Sequence, residues 1–127
     1  MNIEEFIKAR LDEDEEIARA ASAVDVEGPS WRVRKLDHHG MAVFGDHQSA
    51  PPDGRLGFHE DAQTDHIARH DPARVLRDVA GKRRMLALAT EVARSGAEFA
   101  DQDFATLTGA LAEPYADHPD YQQEWNR

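Results

Sequence analysis

Residues 2–22 carry apolar side chains at Ile3, Phe6, Ile7, Leu11, Ile17, Ala18 and Ala21, a stripe with the 3.6-residue period of an amphipathic helix. Asn2 followed three residues later by Glu5 supplies a capping box at its start. The pattern fails from Ser22 to Pro29, where Gly28-Pro29 marks a break. From Ser30 to Leu36 it alternates, with Trp31 and Val33 on one side and Arg32 and Arg34 on the other, and Met41 to Phe44 is a short apolar run. Between them Asp37-His38-His39-Gly40 has turn composition, so the spacing predicts a β-hairpin, with Leu56 to His59 as a third short strand after the Gly- and Pro-bearing loop from Gly45 to Arg55. The chain then turns helical. Ala62 to His70 reads as a short helix, and Asp71-Pro72 as a new start with Asp as N-cap and Pro at the first helical position. That second helix runs to about Arg94 on Val75, Leu76, Val79, Leu86, Ala89 and Ala93, and Ser95-Gly96 ends it. Asp101 or Asp103 opens a further helix bearing Phe104, Leu107 and Leu111, stopped by Pro114.

These elements predict an α+β fold: an N-terminal amphipathic helix, a small antiparallel β-hairpin or three-stranded sheet at 30–59, and a helical second half, 62–113, with one long helix packed on the first. The 127 residues suit a single domain, 1–127. Its core is small, because Leu, Ile, Val and Phe together number 24. Burying surface against a second copy or a partner would therefore help it, and a homo-oligomer is expected. The segment from Tyr115 to Trp125 holds both tyrosines and one tryptophan, which is too aromatic for a free polar tail and predicts docking on the body.

The net charge of −10 is unevenly spread: residues 1–30 sum to −6 and residues 69–84 to +4. Overall sign disfavours nucleic acid as a partner. The absence of cysteine excludes disulfides, thiolate metal sites and thiol nucleophiles. No basic leader with an apolar run and no long apolar stretch occurs, which points to a cytoplasmic protein with no membrane partner.

Candidate chemistry is sparse. His66 and His70 lie four apart on a predicted helix, a spacing that can chelate zinc, with His59, Asp65 or Asp71 as conceivable third ligands. Ile67 stands where a zinc protease would need glutamate, and the simpler reading has His70 fixing the Asp71-Pro72 junction. His38, His39, His47 and His59 make the middle of the chain histidine-rich, as exposed turn residues or as a cluster titrating near 6.5. Arg74, Arg77 and Arg84 share a helix face that could meet a phosphate or an acidic protein, or bridge to the acidic first helix. His118-Pro119-Asp120 matches the tripeptide of J-domain co-chaperones, but Pro114 breaks the chain where their long basic helix would stand, so a turn is expected. No catalytic triad or phosphate loop is present, and no cofactor is expected beyond a possible zinc.

The run from His66 through Asp71-Pro72-Ala73-Arg74-Val75-Leu76-Arg77, with Lys82-Arg83-Arg84, Pro114-Tyr115-Ala116-Asp117-His118-Pro119-Asp120-Tyr121 and Glu124-Trp125, resembles a family of small proteins from actinobacteria and their phages and prophages, catalogued as a domain of unknown function. Leu11 to Glu15 and Gly28-Pro29-Ser30-Trp31 fit as well, so the resemblance spans nearly the whole chain. It implies an accessory role. Some relatives carry cysteine pairs that look like metal ligands before the Pro-Tyr-Ala-Asp element, and this chain has none to match them. The expectation is a non-enzymatic protein that binds a host protein. The alternatives are an acidic decoy of a DNA-binding protein and a metal-dependent hydrolase using His66 and His70.

Overall fold

A computed structural model describes residues 1–22, 30–36, 40–45, 55–59 and 66–126, with side chains for 1–22, 30–31 and 66–126. Helix α1 spans Ile3–Ser22. Its start is the reciprocal capping box: the Glu5 amide donates to Asn2 Oδ1 and the Asn2 amide to Glu5 Oε2, both at 2.9 Å. Helix α2 spans Pro72–Arg94 and α3 spans Ala100–Ala112. Two 3₁₀ turns follow, Glu113–Tyr115 and Gln123–Trp125. Gly96, at φ 64°, takes the left-handed conformation that ends α2, where a residue without Cβ carries no steric penalty.

The chain divides into two compact units, one of Met1–Glu13 with Val79–Arg127 and the other of Asp14–Asp78. Among its described residues the first contains helices joined by turns. Phe6, Ile7 and Leu11 of α1, Val79, Leu86 and Ala89 of α2, and Ala100, Thr108, Leu111 and Ala112 of α3 are buried. Phe6 is the hub of an aromatic cluster, with ring centroids 4.9 Å from Trp125, 5.7 Å from His118, 6.0 Å from Tyr121 and 6.4 Å from Tyr115. These are tilted and edge-on geometries, which the ring quadrupole favours. The C-terminal segment is tied down further by Gln122 Nε2, which donates to the Met1 carbonyl at 3.1 Å. Close approach of α3 to the last turn requires Gly109, because a Cβ there would meet the Trp125 carbonyl oxygen at 2.6 Å. Arg83 bridges to Asp12 at 2.6 Å, joining α2 to the acidic face of α1.

In the second unit the backbone of β1 (Trp31–Leu36), β2 (Gly40–Gly45) and β3 (Arg55–His59) runs antiparallel in the order β1-β2-β3. Trp31 stands opposite Gly45 and Leu36 opposite Gly40.

The expectation of an α+β fold, with a small antiparallel β-hairpin or three-stranded sheet beside a helical second half, is corrected. Where side chains are described, 78% of residues are helical. The physical reason lies in the helices. Within the first unit their apolar stripes and the C-terminal aromatic residues bury one another, so that unit closes its described core with helices and 3₁₀ turns. The proposed His38-His39 turn, His47, Asp65, the loop at 46–54 and the beginning of the 62–70 helix lie outside the described residues.

Candidate interaction site

The second unit contains an apolar groove of about 230 Å³. Ile17, Ala18 and Ala21 from the last turns of α1 form one wall, and Trp31, Pro72 and Val75 form the other, with Asp14 and His70 at its edge. Ile17 is the unusual member. It continues the stripe that buries Phe6, Ile7 and Leu11, yet it is 62% exposed. Such a residue adds apolar surface to the groove's rim without contributing to the core.

Asp71 holds the groove's far wall in place. Its Oδ1 accepts from the Arg74 amide at 2.8 Å, the N-cap bond of α2, and its Oδ2 accepts from the Trp31 amide at 3.0 Å. One carboxylate thus fixes both the helix start and the entry of β1. Pro72, at the first helical position, is buried beside it.

His66 and His70 come together, with ring centroids 4.3 Å apart and planes tilted by 35°. His70 Nδ1 lies 2.8 Å from the His66 carbonyl, so that nitrogen carries the proton and donates, leaving Nε2 for any other partner. The His70 amide also donates back to His66 and Ile67. Asp71, a conceivable third ligand, already accepts two amide hydrogens. Among the described residues no group of three His, Asp or Glu is arranged to hold a metal ion. The Asp65 candidate and the side chain of His59 lie outside the described residues.

The arginines do not converge in a described pocket. Arg74 turns its guanidinium onto the Arg69 carbonyl at 3.2 Å, helping to close the 66–70 turn. Arg77 is exposed one helical turn further on, and Arg84 is exposed in the part of α2 that belongs to the first unit. His118-Pro119-Asp120 forms a turn: the Asp120 amide donates to His118 Nδ1 at 3.1 Å, and the His118 ring is set edge-on against Phe6. No helix of the described residues is long and apolar enough to cross a membrane.

The family of unknown function DUF6221 matches residues 1–127, the whole length of the chain. The chain belongs to that family. No curated protein and no solved structure matches it. In this DUF6221 protein, the periodicity sets Ile17 on the apolar stripe of the first helix and gives no role to Met85, Leu88 or Val92.

Proposed function

We propose that this chain works by binding another protein, as an accessory factor of a phage or prophage that engages a host protein in the cytoplasm of an actinobacterium. The source and accessory role rest on the resemblance carried by the His66-to-Arg77 and Pro114-to-Tyr121 segments. The observation that carries the binding role is the groove with Ile17 on its rim. Its occupant is a short segment of the host protein that places an apolar side chain between Ile17, Trp31 and Val75 and a basic one beside the exposed Glu16.

The test is retention of host proteins by the wild-type chain and by Ile17→Asp, a substitution at an exposed position that leaves folding intact. The reading expects one host protein held by the first and lost by the second, with equal melting temperatures. Identical sets on both proteins contradict it. The acidic-decoy alternative requires DNA to compete for the partner, and salt to weaken binding strongly. The hydrolase alternative requires His66 and His70 to acquire ligands beyond those described.

A further inference from the structure

Helix α2 carries two apolar stripes. Val79, Leu86 and Ala89 supply the buried one. The second, roughly a third of a turn round the helix, is Met85, Leu88 and Val92. Met85 is 49% and Leu88 58% exposed, and nothing described covers them. The spacing 85–88–92 is that of a and d positions in a heptad, with Gly81 and Ser95 as the d positions before and after. An ideal Cβ on Gly81 would meet nothing within 4 Å, so the seam is open at that end too.

Charge along this seam has a direction. Arg84 and Glu91 are seven residues apart, occupy the same g position and are both exposed. In a parallel helix pair a g residue faces e of its partner, and the e positions are Lys82, which lies over the Tyr115 ring at 5.7 Å, and the buried Ala89. Neither would pair with both charges. In an antiparallel pair g faces g, so Arg84 of each copy meets Glu91 of the other, twice by symmetry, with the two-fold axis passing beside Leu88.

We infer that α2 pairs two copies of this chain antiparallel through Met85, Leu88 and Val92, the register being set by two Arg84–Glu91 ion pairs. The surface lies wholly in the first unit, distinct from the groove of the second, so this inference and the host-binding reading stand or fall separately. A seam of two heptads makes a small interface, so the dimer is weak.

Sedimentation equilibrium on the full chain tests this. Arg84→Glu and Glu91→Arg should each weaken the dimer by about 30-fold, because each sets like charges against one another at two places. The double substitution should return it to within about 3-fold of wild type. Net charge controls itself here: the first single substitution makes the chain more negative, the second less negative, and the double leaves it unchanged. Leu88→Glu should abolish the dimer with an unchanged melting temperature. A wild-type chain monomeric to about 1 mM, a dimer strengthened by Glu91→Arg, or a double substitution as weak as the singles would each overturn the inference.

Discussion

The amide of Trp31 donates to Oδ2 of Asp71 at 3.0 Å, across forty residues of chain, while Oδ1 of the same carboxylate caps α2. Asp71 therefore couples helix start to strand entry, and its loss should be felt at both. Asp71→Ala is expected to destabilise the protein by about 2–3 kcal/mol, a cap plus an unpaired part-buried amide. Asp71→Asn keeps one acceptor and should cost about half as much. Thermal unfolding read by Trp fluorescence checks both, and equal effects of the two substitutions would refute the two-bond arrangement.

Two glycines of the helical unit should respond to alanine in opposite directions. Gly109→Ala drives a Cβ into the Trp125 carbonyl at 2.6 Å and should cost about 1–3 kcal/mol, with displacement of the last 3₁₀ turn. Gly81→Ala enters open space in the interior of α2 and should stabilise by about 0.5–1 kcal/mol. Denaturant unfolding at a concentration that keeps the chain monomeric distinguishes them.

Phe99 precedes α3 at φ 69°, a left-handed conformation costly to a bulky residue, with its side chain 64% exposed. Little packing offsets that cost. Phe99→Asn, which tolerates this conformation, should raise stability by about 0.5–1 kcal/mol in thermal unfolding.

Asp71 spends both oxygens on amides, and among the described residues no three His, Asp or Glu are arranged to hold a metal ion. Native mass spectrometry of untagged protein purified without chelator should accordingly find no stoichiometric zinc. A zinc adduct lost in His66→Ala would reverse this and make the hydrolase the function to pursue.

Much of the helical part was legible because its signals are local. The Asn2 and Glu5 pair, Asp71-Pro72 and Gly96 each act within one turn of chain, and each stands in the structure where the spacing placed it. The concentration of Tyr115, Tyr121 and Trp125 also signalled a docked segment, although Phe6 as its hub was beyond reach, since nothing in the sequence pairs residues over a hundred positions apart. The fold class failed for a related reason. Alternation over six residues from Ser30 carries little information about which core a strand joins, and it was given the weight of a layer. For the candidate site, the histidine spacing correctly placed two imidazoles together, but the Trp31–Asp71 bond and the outward turn of Ile17 depend on tertiary packing. The second stripe of α2 was missed because a buried stripe had already accounted for the helix.

The central claim is that the groove beside Ile17 receives a host protein. Its most direct measurement is photo-crosslinking in host cells from a reactive side chain installed at Ile17, compared with one at the exposed Ala105 of α3. A single host protein crosslinked from position 17 and absent from position 105 is the expected result. Equal products from the two positions, or none from position 17, would contradict it.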